Sequence, residues 1–268
     1  MPANPEARSL AVFCDFENVA LGVREAKYEK FDMQKVLERL LAKGSIVVKK
    51  AYCDWERYKE FKATMHSSAF ELIEIPHVRQ SGKNSADIRM VVDALDLCYT
   101  KEHVDTFVIV SGDSDFSPLV SKLRENAKMV IGVGVKNSSS DLLINNCDEF
   151  IYYDDLVRAD EQKRRTAKKR KDAAPVSAVA DKGNGTDKKQ EAFDMMLGTL
   201  EALIAERGAD EKIWGSMVKQ ALKRRNPGFN ETYYGFRAFA DLLKEAQQKG
   251  LVKLEADEKS GGYIIRPT

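Results

Sequence analysis

Four aspartates stand where strands give way to turns and helices, and they are the residues best placed to do chemistry. The apolar run Phe107–Val110 is followed at once by Ser111-Gly-Asp-Ser-Asp115, so Asp113 and Asp115 lie just past a strand. Leu10–Cys14 is a second such run, and it ends on Asp15. Asp87 opens the helical stretch that leads towards the strand before Asp113. A helix N-cap would explain one aspartate of the Asp113/Asp115 pair, and Asp115 is the more natural cap, but it would not explain both. Carboxylates brought this close repel, and one would stay protonated at neutral pH unless a cation compensated them. All-oxygen ligands select hard ions, so Mg²⁺ or Mn²⁺ is expected rather than Zn²⁺. Such an ion can activate water against phosphorus.

Competing chemistries have little support. The three histidines, His66, His77 and His103, have no serine or cysteine nucleophile spaced to match them, and no Walker-type phosphate loop occurs. Cys14, Cys53, Cys98 and Cys147 form no CxxC pair and read as reduced thiols of a cytosolic protein. No apolar run reaches the roughly 20 residues of a membrane span, and Met1–Ser9 lacks the apolar core of a signal peptide.

The elements that would position the aspartates alternate. Strands are predicted at Leu10–Cys14, Ser45–Cys53, Phe70–Val78, Phe107–Val110, Met129–Val135 and Glu149–Tyr153. Helices are predicted at Phe31–Lys43 (N-cap Asp32, stop Gly44), Trp55–Ser67, Ala86–Tyr99, Phe116–Leu123 and Asp141–Asn146. Non-alternating apolar strands suit a mostly parallel sheet covered on both faces, hence a three-layer, Rossmann-like α/β domain over residues 9–157. Ligand sites in such sheets lie beyond the carboxyl ends of the strands.

Residues 158–190 change character. Lys163–Lys171 holds seven basic residues in nine, and Ala173–Gly185 offers almost nothing to bury, which reads as a basic, flexible linker. Globular patterning returns in residues 191–268. Three helices are predicted, around Phe193–Ile204, Ile213–Leu222 and Tyr233–Ala246, the last stopped by Gly250. Strands follow at Leu251–Leu254 and Gly262–Ile265, and the whole reads as a winged helix-turn-helix. Residues 1–157 carry 20 basic and 25 acidic side chains, and residues 158–268 carry 23 and 17, so the halves differ in sign although the chain's net charge is +1. An acidic site in the first half and an anionic partner for the second are expected. The local basic feature of the winged helix is Lys219, Lys223, Arg224 and Arg225.

Three motifs in order, Asp15-Phe-Glu-Asn18, Lys83-Asn-Ser-Ala-Asp87 and Ser111-Gly-Asp-Ser-Asp-Phe116, resemble those of the NYN family of PIN-like ribonucleases. The resemblance implies a metal-dependent endoribonuclease fold with Asp15, Asp87, Asp113 and Asp115 as its acidic, metal-binding cluster. It further implies that Asn18 and Ser111 orient ligands or bind phosphate and that Lys83 neutralises the scissile phosphate. Asp93 also matches a recurrent acid of the family's helix, but six residues from Asp87 is about 240° of helical turn, so the two cannot face one point. Asp87 is taken as the site residue and Asp93 as a supporting or structural one. Asp141 is read as a helix-start residue, with the Lys136–Ser140 loop close to substrate. The stretch Asn226–Phe239 with Leu242-Leu243 is similar to the signature of OST-HTH (LOTUS) domains, which implies binding of structured or G-rich RNA.

The expected function is therefore a metal-dependent endoribonuclease with a C-terminal RNA-binding module. Two other readings compete. One is a non-catalytic RNA-binding scaffold that keeps the acidic pocket, and the other is a phosphatase, which the Asp-Phe-Glu sequence after the first strand disfavours. Docking of a protein partner or a second copy is the alternative use of the winged helix.

Overall fold

A computed structural model describes residues 8–75, 85–161, 184–208, 211–256 and 262–267. Lys83 and the Gln80–Ser85 loop up to its last residue, the end of the predicted third strand, and the basic run Lys163–Lys171 lie outside the described residues. The chain divides into two compact units, an N-terminal one of residues 1–37 and 45–174 and a C-terminal one of residues 175–268 together with residues 38–44.

The N-terminal unit contains a six-stranded sheet. In chain order its elements are β1 (Arg8–Asp15), α1 (Phe16–Glu25), α2 (Met33–Lys43), β2 (Gly44–Cys53), α3 (Lys59–Ser67), β3 (Glu71–Glu74), α4 (Ser85–Thr100), β4 (Thr106–Val110), α5 (Ser117–Glu125), β5 (Met129–Gly134), α6 (Asp141–Asn146) and β6 (Glu149–Tyr152). A helix, α7, follows over residues 153–161. The strand order is β3-β2-β1-β4-β5-β6. The pairs β2–β3, β1–β4, β4–β5 and β5–β6 are all parallel. The chain builds outward from β1 in one direction and from β4 in the other. The seam between these two strands is therefore the topological switch point, where open α/β sheets bind ligands. Its register pairs Cys14 with Val110, so Asp15 and Ser111 leave the sheet side by side.

Both central strands are buried along their apolar length: Leu10–Cys14 and Phe107–Val110 have no exposed surface. Phe13 stacks on Phe107 across the seam, with ring centroids 6.0 Å apart. That matches the expectation from their unbroken apolar runs.

Helix α1 is a correction, since the sequence suggested no helix there. Asp15 caps it by accepting a hydrogen bond from the Asn18 main-chain nitrogen, and Phe16, Val19, Gly22 and Val23 form its buried face. Phe16 is the anchor. It is fully buried and packs against Phe31, Trp55, Tyr58 and Phe61, with centroids 5.0–5.9 Å away. Other elements are shorter than expected. Asp32 does accept a hydrogen bond from the Gln34 nitrogen at the start of α2, but residues 55–58 are turns and α3 begins only at Lys59. The helix expected from Phe116 opens with a 3-10 turn, Ser114–Phe116, before α5.

The C-terminal unit contains α8 (Asn184–Arg207), β7 (Ile213–Trp214), α9 (Gly215–Arg225), α10 (Phe239–Gln248), β8 (Val252–Ala256) and β9 (Tyr263–Pro267). Its sheet has the order β7-β9-β8 with antiparallel pairs. Two expectations need correction. Ile213 and Trp214 pair with Ile265 and Ile264 as a short strand and do not start a helix. Tyr233 and Phe236 precede α10 in a turn segment, although Phe236 is still buried with Phe193, Leu200, Leu222 and Leu243 in the unit's core. Gly250 follows α10 at φ +71°, a left-handed conformation that ends a helix at little cost only for glycine.

Because Phe16 ties α1 to four aromatic rings, Phe16→Ala is expected to lower the unfolding free energy by about 3–5 kcal/mol. Urea denaturation checks this; a loss below about 1 kcal/mol would show that α1 is not held through this residue.

Candidate functional site

The seam between β1 and β4 brings the first and third motifs together. Ser111, with no exposed surface, donates its hydroxyl to Asp15 Oδ2 at 3.0 Å. The same Oγ accepts the Asp113 main-chain nitrogen at 3.2 Å. Asn18, on the first turn of α1, accepts the Gly112 nitrogen on its Oδ1 at 2.9 Å. Asp113 caps the 3-10 turn by accepting the Asp115 nitrogen at 3.0 Å. Of the two aspartates that could cap this segment, Asp113 does so. Asp115 is exposed.

The serine loop closes over this turn. The Ser140 nitrogen donates to the Gly112 carbonyl at 2.9 Å. A Cβ on Gly112 would lie 2.4 Å from the Ser138 carbonyl oxygen and 2.9 Å from Ser139 Cα, so only glycine allows the approach. Asp141 begins α6, and Ser140, not Asp141, caps it by accepting the Leu142 nitrogen.

Asp15 and Asp87 both feel the charge of Asp113. Asp15 is 8% exposed. Burial first, and then the negative charges of Asp87 and Asp113, push its carboxyl up to about 7, despite the hydrogen bonds from Asn18 and Ser111 that favour ionisation. Asp87, half-buried at the start of α4, is pushed up to about 6 by burial and then by Asp113, Asp115 and Glu17. Glu17 was not singled out from the sequence. It is the third residue of Asp15-Phe-Glu-Asn18; its charge acts on Asp87, and Arg57 pairs with it at 3.1 Å. Asp93 belongs elsewhere. It accepts from Tyr52 Oη at 2.8 Å and pairs with Lys50 and Arg89, which hold its carboxyl below the usual range against the opposing effect of burial.

An all-carboxylate set in which the named partners are themselves negative fits a hard cation by its chemistry. The geometry is looser than a closed ligand cage. Among the described residues, no three His, Cys, Asp or Glu side chains stand close enough to form one ligand set.

In the C-terminal unit, the four basic residues read as an RNA contact are not equivalent. Lys219 pairs with Glu231 at 2.9 Å, and Arg225 donates to the Gly198 carbonyl at 2.8 Å. Arg224 is half-buried, and Lys223 is exposed. No described helix is long and apolar enough to cross a membrane.

Raised carboxyl values carry a definite sign for stability. Folding favours the protonated forms of Asp15 and Asp87, so their contribution is complete below pH ~4 and is lost as pH rises through 6 to 7. In EDTA, the unfolding free energy should therefore fall between pH 5 and pH 8, with about 2 kcal/mol of the fall removed by Asp15→Asn. Equal pH slopes in the wild type and the variant would contradict this electrostatic account.

The comparisons with known proteins point the same way. A family model described as the NYN domain matches residues 9–154. An uncharacterized protein of Methanocaldococcus jannaschii is 29% identical over 140 residues, which are 52% of this chain and 55% of that protein. The chain thus spans about half the length of the curated relative it matches. A solved structure, a protein of unknown function from Vibrio parahaemolyticus, is similar with a TM-score of 0.51 and 27% identity, covering 58% of this chain and 98% of that one. With the family's pattern matched from β1 through the end of the parallel sheet, this chain belongs to the NYN domain family.

Proposed function

We propose that the N-terminal unit is an endoribonuclease whose acidic cluster binds Mg²⁺ or Mn²⁺. The observation that supports the reading is that Asp15 and Asp87 are both raised towards neutrality, by burial first and then by neighbouring carboxylates, with Asp113 acting on both. Membership of a family whose members are generally nucleases adds to it. Asp15, Asp87 and Asp113, with Asp115 from the rim, would hold the ion directly or through water. The bound ion would supply an activated water and stabilise the leaving oxygen of a phosphodiester.

The remaining work falls to the chain. Ser111 fixes the Asp15 carboxylate, and Asn18 ties α1 to the Gly112 turn, so the two strand-end acids keep their separation. Lys83, four residues before Asp87, would neutralise substrate phosphate. The C-terminal unit, three helices and a three-stranded antiparallel sheet, would act as an OST-HTH-like winged helix, and the basic linker of residues 158–190 would help retain RNA. Within the winged helix, Lys223 and the outer side of Lys219 are better placed for phosphate than Arg225, which is committed to Gly198.

An RNA-binding scaffold without turnover is the alternative, and one observation favours it: no three ligating side chains are closely assembled among the described residues. Cleavage of labelled RNA with Mn²⁺ separates the two. Asp113→Asn should lower the cleavage rate by about 100-fold or more while leaving the circular dichroism spectrum unchanged. Gel shifts without products at every metal concentration would favour the scaffold, and cleavage that survives in the Asp15→Asn, Asp113→Asn double variant would exclude this site.

A further inference from the structure

Three of the six exposed large apolar side chains among the described residues lie on one helix, α4: Ile88 at 62%, Val92 at 56% and Tyr99 at 62%. The inner face of α4 is already satisfied, since Met90, Ala94 and Cys98 are buried in the core of the N-terminal unit. The outer residues are not needed for that core, and apolar surface gathered in one place marks an interaction site. Their spacing is specific. Ile88, Val92, the half-buried Leu95 and Tyr99 follow one another by four, three and four residues, the seam of a two-helix knobs-into-holes contact. One flank of this seam carries Arg89 and Asp96, both exposed and one heptad apart. The other flank holds Val91 and Cys98 and no charge.

That flank selects the partner. In an antiparallel pair of identical helices, like flanks meet. Setting Val92 against Leu95 and Ile88 against Tyr99 then brings Arg89 of each copy to Asp96 of the other, twice by the two-fold symmetry. A parallel pair would turn the charged flank onto Val91 and Cys98 and make neither ion pair. The charges of α4 thus complement α4 itself in reverse. We propose that the chain forms an isologous dimer through α4, antiparallel and centred between Val92 and Leu95. Arg89 pairs with Asp93 of its own helix at 3.1 Å, but its side chain stays exposed and can be shared with the second copy. The dimer does not depend on the nuclease reading. Asp87 opens the same helix, so the two acidic clusters would stand at opposite ends of the paired helices.

Analytical ultracentrifugation of the full chain tests this. A helix of 16 residues is about 24 Å long, which puts the contact at the small end of specific interfaces. The mass should therefore rise with concentration from the 30.2 kDa of one chain towards twice that value, with a dissociation constant of about 50 µM. Val92→Lys should weaken the association by about tenfold or more. Arg89→Asp alone and Asp96→Arg alone should each weaken it by about tenfold, because like charges then face each other twice. An equimolar mixture of these two variants should associate as tightly as the wild type, because each mixed pair regains both attractions. All three positions are exposed, so the variants should keep the wild-type circular dichroism spectrum. A chain that stays monomeric at about 500 µM, ten times the expected constant, overturns the proposal and leaves the stripe to another occupant. A dimer indifferent to Val92→Lys places the interface elsewhere and overturns it too. A mixture no tighter than its separate components overturns the antiparallel register, and with it the choice of a second copy.

Discussion

The site depends on one electrostatic constraint: like-charged carboxylates are held together at the end of a buried seam. Asp15 ends β1 and Asp113 lies three residues past the end of β4, and the two strands are buried along their apolar length and paired in register. Folding therefore places repulsion at the end of a buried, paired seam. Close packing lets the rest of the unit bear that cost, and it leaves an environment in which a hard cation would be stabilising.

Local hydrogen bonds convert this constraint into a defined arrangement. Asp15 serves at once as helix cap, as acceptor for Ser111 and as part of the cluster. Asn18 returns from α1 to the Gly112 nitrogen, and the serine loop locks the other side of the same turn. The start of α1, the turn after β4 and the serine loop thus converge on Asp15, Ser111 and Gly112. The aromatic group around Phe16 holds α1 in place and so governs the site from outside it.

Much of this was legible in the sequence, for specific reasons. Phe107–Val110 and Leu10–Cys14 are apolar without alternation, which identifies central strands, and the polar residues directly after them mark the ligand edge. Glycine punctuation located the stops at Gly44 and Gly250. Helix α1 was missed because Gly22 and the short buried stripe Phe16, Val19, Val23 make a weak helical signal; its cap and the Phe16 packing are tertiary facts. Ile213 and Trp214 looked helical because their apolar spacing continues that of α9, and only pairing with β9 makes them a strand. Tyr233 and Phe236 fill the core from a turn, which a periodic reading assigns to the neighbouring helix.

Sequence alone determined the residue types at the strand ends, the order of the three motifs and the alternation that builds a parallel sheet, since these follow from local polarity and period. Tertiary structure decided which of those residues meet. It placed Asp15 beside Ser111 through strand register, brought Glu17 into the field of Asp87, and gave Asp93 to Tyr52, Lys50 and Arg89. The physical reason is that charge interaction depends on distance through space and on burial, and neither is a property of separation along the chain.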